Sequence, residues 1–126
     1  MKQELEEKLV KEFPKLYADY KGDPRQTCMA FGFECGDGWY ELIYNLSKVL
    51  EGKTTAVQVK EKFGGLRFYV TAVTDEIEQA INDAEERSYK ICERCGKPGK
   101  PDNFGWIRTL CEECRDARTT SKNRFQ

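Results

Sequence analysis

Four cysteines in the last third of the chain constrain its fold more than any other feature. They form two C-x-x-C pairs, Cys92 with Cys95 and Cys111 with Cys114, with fifteen residues between the pairs. Two pairs at this separation are typical of a zinc site in which four thiolates complete a tetrahedron. We therefore predict one bound Zn²⁺. Because cysteine fills all four positions, none is left for water or substrate, which indicates a structural rather than a catalytic metal.

A redox dithiol is the main alternative, but thioredoxin-like motifs lie in βαβ segments that this sequence lacks. Gly96 follows the second cysteine, where a tight turn needs a residue without a Cβ. The stretch FGWIRTLC suits a strand or small hairpin, and CEECRDAR suits the first turns of a helix. A turn, a hairpin and a helix in this order predict a zinc treble clef over residues 92–118. A zinc ribbon, with both pairs on hairpin turns, is the alternative.

Residues 1–91 predict an α+β body of helices packed on a β-hairpin, and residues 119–126 predict a frayed polar tail. Three amphipathic helices are expected, over 3–20, 38–52 and 74–91. Asp37 is a candidate N-cap for the second helix and Thr74 for the third, whereas Pro14 kinks or splits the first. The predicted buried stripe of the second helix consists of Trp39, Leu42, Ile43, Leu46, Val49 and Leu50.

Residues 56–73 carry the clearest strand pattern, two alternating runs around Gly64-Gly65. A type I′ turn at the two glycines would pair Phe63 with Leu66 and Val59 with Val70. This register puts Phe63 on the core face and places Glu61 on the same face, opposite Phe68. A buried carboxylate needs a partner or a pocket, so Glu61 is a candidate for either.

Histidine is absent from the chain, which excludes Ser-His and Cys-His nucleophile pairs and mixed Cys/His zinc sites. The glycine-rich stretches match no phosphate-binding motif. Carboxylates remain as possible acids or bases, and those near glycine-rich or apolar surroundings are Glu34, Asp37, Glu41 and Glu61. We therefore expect a protein that is not an enzyme, with a carboxylate-dependent enzyme as an alternative. Short apolar runs and a charged start predict a soluble cytoplasmic protein.

Two surfaces are candidates for binding an anionic ligand or nucleic acid. Residues 1–86 hold 11 Lys and Arg against 17 Asp and Glu, whereas residues 87–126 hold 10 against 5, so the C-terminal end is basic. The hairpin face candidates are Lys60, Lys62, Arg67 and Tyr69. The candidates at the zinc end are Arg94, Lys97, Trp106, Arg108, Arg115 and Arg118. For the hairpin an ordinary solvated face is the favoured explanation, and for the zinc end the favoured explanation is that the cations surround a negative metal–thiolate centre.

Cys28 and Cys35 are seven residues apart, outside zinc-turn spacing, and a free cysteine behaves as a small apolar residue. Both are therefore expected in the core.

Three blocks of sequence span roughly residues 28–114: GFECGDGWYELI, VKEKFGGLRFYV, and AEERSYKICERCG followed by GWIRTLCEEC. In this order they resemble small uncharacterised proteins encoded in bacteriophage and prophage genomes. The resemblance implies a phage setting and the cytoplasm of a bacterial host, and it carries no catalytic residues. We expect an accessory factor that binds a host protein or nucleic acid, with countering host defence as one role. A nucleotide pocket between GFECGDGW and the hairpin, near Glu61 and Arg67, is the alternative.

Overall fold

The computed structural model describes residues 1–102 and 107–116, and it is a mixed α+β structure. The helices are α1 (Gln3–Glu12), α2 (Tyr40–Leu50) and α3 (Asp75–Ser88). The strands are β1 (Phe33–Glu34), β2 (Ala56–Lys62), β3 (Gly65–Val70), β4 (Lys100–Asp102) and β5 (Arg108–Leu110). Two 3₁₀ helices, Cys28–Phe31 and Asp37–Trp39, flank β1, and residues 112–116 are helical.

The first helix is shorter than the predicted span of 3–20. It ends at Glu12, and the chain continues through turns because Pro14 disfavours the helical conformation at the residue before it. Phe13, Leu16 and Tyr17 are nevertheless buried, as the apolar spacing indicates. The Glu51 carboxylate holds this segment, accepting the backbone N–H of Leu16 at 2.7 Å.

The second and third helices lie where the pattern predicts them. Thr74 caps α3 by accepting the Ile77 N–H at 3.3 Å, and Gly52 follows α2 with a φ of +78°. Two details are wrong. Asp37 does not cap α2, because its carboxylate accepts the Lys2 N–H at 2.7 Å. Val49 is exposed, because it lies at the edge of the stripe that α2 turns toward the core.

The main sheet has the order β1-β2-β3, with β1 parallel and β3 antiparallel to β2. Its core face packs on α2. The fully or nearly buried side chains of this core include Leu9, Leu16, Tyr17, Phe33, Trp39, Ile43, Leu50, Val59, Leu66 and Phe68. Helix α3 follows the outer edge of β3, where the Ser88 hydroxyl accepts the Leu66 N–H at 2.9 Å. That contact satisfies a backbone donor that an edge strand otherwise exposes.

The hairpin turn lies one residue earlier than predicted, which shifts the partners across the two strands by two residues. Lys62 pairs with Gly65 and Val59 with Phe68, so the turn residues are Phe63 and Gly64, with φ of +54° and +84°. Phe63 is therefore on the surface rather than in the core, and Glu61 lies opposite Leu66 instead of Phe68.

Tyr89 explains why the glycine pair is needed in this register. The Tyr89 ring packs directly on Gly65, where an added Cβ would come within 2.4 Å of the phenol oxygen. Gly65 thus makes room in the strand, while Gly64 supplies the positive φ of the turn.

Candidate metal centre and its junction with the body

The four predicted ligands converge. The sulfurs of Cys92, Cys95, Cys111 and Cys114 all lie within 4.8 Å of one another, and those of Cys95 and Cys111 are 3.5 Å apart. A tetrahedral ion with metal–sulfur bonds of about 2.3 Å requires sulfur–sulfur separations of about 3.8 Å. The cluster therefore has the dimensions of a four-thiolate site and can hold a metal ion.

The first pair lies on a tight backbone turn. The Gly96 N–H donates to the Cys92 carbonyl at 2.9 Å, and the Cys92 N–H donates to the Lys97 carbonyl at 2.7 Å. Gly96 has a φ of +84°, as expected of a residue without a Cβ at this position. The turn points both sulfurs of the pair toward one side.

The second pair begins where β5 ends. Strands β4 and β5 are antiparallel, with Lys100 opposite Leu110, and residues 112–116 are helical directly after Cys111. The Cys114 N–H donates a hydrogen bond to the Cys111 sulfur at 3.5 Å. The first helical turn thus brings the two cysteines of this pair together. Turn, hairpin and helical segment thus occur in the predicted order.

The thiols have unequal pKa values. Burial raises the pKa of Cys92, but the backbone N–H groups of Cys111, Cys95 and Arg94 stabilise its thiolate and bring the pKa down to about 7. Burial raises the pKa of Cys114 to about 12. A metal ion that binds all four as thiolates therefore displaces protons, so its affinity depends on pH.

We call residues 92–118, as far as the structure describes them, the metal module. A buried glutamate inside the first C-x-x-C pair joins this module to the body, residues 1–91. Glu93 is 3% exposed and accepts the Gly36 N–H at 2.8 Å with one carboxylate oxygen. Its other oxygen accepts Nε and a terminal nitrogen of Arg108 at 3.3 and 3.2 Å. The Glu93 N–H donates to the Thr109 carbonyl at 3.0 Å. One side chain thus connects the turn, the strand β5 and the segment that precedes α2.

The CGDGW segment is the other half of this junction. The Gly38 N–H donates to the Glu93 carbonyl at 2.7 Å, and the indole of Trp39 donates to the Ile91 carbonyl at 2.9 Å. A Cβ on Gly38 would lie 2.1 Å from the Cys92 carbonyl oxygen, and one on Gly36 would lie 2.4 Å from the Glu93 carbonyl oxygen. Both glycines are needed because two backbones touch here.

The hairpin turn also contacts the module. The Thr109 hydroxyl donates to the Gly64 carbonyl at 2.6 Å, and the Glu61 carboxylate accepts the Gly64 N–H at 2.7 Å. Glu61 therefore has the partner that a carboxylate on the apolar face requires. Sequence reasoning missed both Glu93 and Thr109. The only sequence signal for Glu93 was its position between two predicted ligands, and Thr109 had none.

The predicted basic surface at the zinc end is largely engaged in local contacts. Lys97 pairs with Glu113 at 3.4 Å, Arg108 pairs with Glu93, and Arg115 donates to the Lys100 carbonyl at 3.3 Å. Arg94 is exposed. Trp106 and Arg118 lie outside the described residues.

The hairpin candidates share the sheet face that points away from the core. Lys60 lies directly opposite Arg67, and Tyr69 lies opposite Gln58 on the same face. Arg67 forms an ion pair with Glu85 on α3, and that carboxylate raises the pKa of Arg67. The positive charge of Arg67 is thus neutralised locally.

The remaining candidates do not form one site. Asp37 and Glu41 line a cleft beside Cys95. Glu34 lies on β1, and Glu61 accepts a hydrogen bond from the hairpin turn. Cys35 is buried, as expected, and burial raises its pKa to about 12.

Cys28 is exposed, contrary to the expectation that it lies in the core. It begins a 3₁₀ helix in which Met29, the next residue, takes the buried position.

No protein-family model, curated protein sequence or solved structure matches this chain. Within residues 1–102 and 107–116, no helix is both long and apolar enough to cross a membrane.

Proposed function

We propose that this is a non-enzymatic zinc-binding protein that acts by binding a macromolecular partner, and that its zinc ion is structural. The observation that carries the proposal is the convergence of four cysteine sulfurs into one closed cluster that is joined to the body by Glu93. A closed set of four thiolates has no position for a substrate. Its contribution is to hold a small segment in shape, because few large apolar side chains are available there.

Zinc is the metal we assign, because four thiolates in a tetrahedron favour Zn²⁺ or an iron–sulfur centre. We further assign the module to the treble-clef class. The order of its parts supports this: a cysteine turn, the β4–β5 hairpin, and helical residues 112–116, which begin directly after Cys111 and include Cys114. In a zinc ribbon the second pair would lie on another hairpin turn instead.

A non-catalytic role agrees with how the polar groups are used. The Asp37 carboxylate accepts a backbone N–H of Lys2, and Glu61 accepts that of Gly64. A nucleotide pocket near Glu61 and Arg67 would need groups that already have other contacts. The CGDGW segment packs on the metal module, and Arg67 forms an ion pair with Glu85. Binding of a partner on an exposed surface is therefore the better proposal.

For the setting, we propose a phage or prophage accessory factor in the bacterial cytoplasm, whose partner is a host protein or nucleic acid. The three sequence blocks described above support this setting. The metal module has a supporting role in this function: it braces the hairpin turn through Thr109 and the CGDGW segment through Glu93.

Metal analysis of the purified full chain tests the zinc assignment. We expect one zinc per chain, no visible absorbance of an iron–sulfur cluster, and loss of circular dichroism when a strong chelator is added. Cys114→Ser should lower zinc content and stability, whereas Cys28→Ser, which changes an exposed cysteine outside the cluster, should change neither. Full zinc content in Cys114→Ser, or a chelated protein with unchanged folding, would contradict the proposal.

A further inference from the structure

Phe63 occupies a backbone conformation that its side chain disfavours. Its φ of +54° is left-handed, and the first position of such a two-residue turn ordinarily holds Asn, Asp or Gly. The side chain is 62% exposed, so burial of the ring does not compensate for this conformation. An unfavourable backbone that is maintained in a folded protein points to a function for the residue it displays.

The turn around Phe63 is held rigidly. Glu61 accepts the N–H of Gly64, Thr109 donates to its carbonyl, and Tyr89 packs on Gly65. These contacts come from β2, β5 and the end of α3. The ring is thus presented from a fixed base, which lowers the entropy lost when a partner binds.

Phe63 stands at one end of a row of exposed aromatic and cationic side chains. The Lys62 ammonium lies 5.7 Å from the centre of the Phe63 ring. Lys60 follows on the same face of the sheet, and then Tyr69, which is 44% exposed. From the Lys62 pair to the Tyr69 pair the strand advances four residues, about 13 Å. We call these four residues the hairpin platform.

The charges of the hairpin platform suit an anionic partner. In the part of the chain that the structure describes, no carboxylate lies within 4.0 Å of the Lys60 or Lys62 ammonium. Glu34 lies opposite Lys60 in the parallel register, beyond ion-pair distance. The two lysines, which have no ion-pair partner among the described residues, lie between the two exposed rings. The row therefore offers both positive charge and flat apolar surface to a ligand.

We propose that the hairpin platform binds single-stranded nucleic acid, with unpaired bases stacking on Phe63 and Tyr69 and phosphates contacting Lys60 and Lys62. This proposal rests on the proposed function and names its partner class. Stacking on exposed rings combined with backbone contacts to lysine is the usual basis of sequence-independent single-strand binding. A duplex hides its base faces and cannot use the two rings.

Fluorescence anisotropy with labelled oligo(dT) and oligo(U) of about 12 nucleotides tests the proposal on the zinc-loaded full chain. Binding should weaken with salt, so that log Kd rises against log salt with a slope of about 1.4, from about 0.7 for each of two lysines. The Lys60→Ala/Lys62→Ala variant should flatten that slope. Lys48→Ala is the matched control, because Lys48 also lies over an aromatic ring, that of Tyr44 on α2, and it should bind as the wild type does. Comparison of the two oligonucleotides shows whether DNA or RNA is preferred.

Phe63→Asn separates a binding role from a structural one. Asn suits the left-handed turn, so the variant should be at least as stable as the wild type while binding oligonucleotides roughly 5- to 100-fold more weakly. Phe63→Trp keeps an aromatic surface and should retain binding. Unchanged binding by Phe63→Asn would overturn the proposal.

The two proposals fail in different ways. A wild-type chain that holds one zinc but binds neither oligonucleotide overturns the nucleic-acid assignment and leaves the zinc interaction protein standing. If, in addition, a purified protein partner binds in a Phe63-dependent manner, the platform belongs to a protein interface. A chain that lacks zinc yet binds oligonucleotides through Phe63 overturns the zinc assignment alone.

Discussion

Gly38 offers the most direct probe of the junction between the metal module and the body. Its φ is not left-handed, so Gly38→Ala adds a methyl group without introducing left-handed backbone strain. That methyl would lie 2.1 Å from the Cys92 carbonyl oxygen and 2.6 Å from the Gly96 backbone nitrogen. Both are backbone atoms of the cysteine turn, so no side-chain rotation relieves the clash.

The cost of Gly38→Ala follows from the contacts that must be lost when the two backbones separate. The N–H of Gly38 and the indole N–H of Trp39 lose neutral hydrogen bonds, about 0.5–1.5 kcal/mol each, and the Gly36 N–H loses a carboxylate partner, about 1.5–3 kcal/mol. Full separation thus costs about 2.5–6 kcal/mol. A smaller shift that keeps the contacts strained costs about 1–3 kcal/mol. We expect a loss of about 3 kcal/mol in the free energy of unfolding.

Urea unfolding of the metal-loaded protein, followed by circular dichroism, measures this change, and transfer of metal to a coloured chelator should become faster in the variant. Gly52→Ala is the matched control, because Gly52 has a φ of +78° and nothing within 4 Å of an added Cβ. It should cost about 1 kcal/mol through backbone strain alone and leave metal transfer unchanged. If Gly38→Ala costs no more than Gly52→Ala, the packing described at the junction is incorrect.

Three further predictions concern other contacts. Glu93→Gln should lower the free energy of unfolding, measured in urea, by about 2 kcal/mol, because the partly exposed Arg108 loses its ion pair with a buried carboxylate. An unchanged value would show that the charge of Glu93 does not stabilise the junction. Thr109→Val should cost about 1–2 kcal/mol in the same assay, because the Gly64 carbonyl loses its hydroxyl donor, and equal stability would show that the turn does not need it. The folded-state pKa of Cys35 is raised from 9.0 to about 12, so the unfolded chain loses this proton first and stability falls as pH rises from about 9 to 12. Relative to Cys35→Ala, the wild type should lose about 1.4 kcal/mol per pH unit in that window; parallel pH profiles would contradict the assignment.

The sequence predicts those features that depend on local chemistry. The spacing of the cysteines predicts the four-sulfur cluster, and Thr74 and Gly52 mark helix ends because capping and positive φ are properties of single residues. The burial of Leu16 and Tyr17 was predicted correctly, although the helix predicted over these two residues ends at Glu12 instead. Apolar spacing thus identifies the buried side of a segment more reliably than its secondary structure.

The features that the sequence does not predict depend on contacts between segments that are far apart in the chain. The Gly64-Gly65 pair suits a turn at either register, and the choice is made by Tyr89, more than twenty residues later, which packs on Gly65. The roles of Gly36 and Gly38 similarly require Glu93, whose position opposite them is set only when the chain is folded. A glycine pattern alone does not distinguish a ligand loop from a backbone docking site.

Hydrogen exchange of the metal-loaded and the chelated full chain tests the central claim that a metal held by four cysteines fastens the module to the body. The Gly38 amide donates across the junction to the Glu93 carbonyl, and the Glu93 amide donates within the metal module to Thr109, whereas the amides of α2 are bonded within the helix. We predict that chelation removes protection from Glu93 and, at the same time, from Gly38, while α2 keeps most of its own. Protection at Gly38 and Glu93 that survives chelation would contradict the claim.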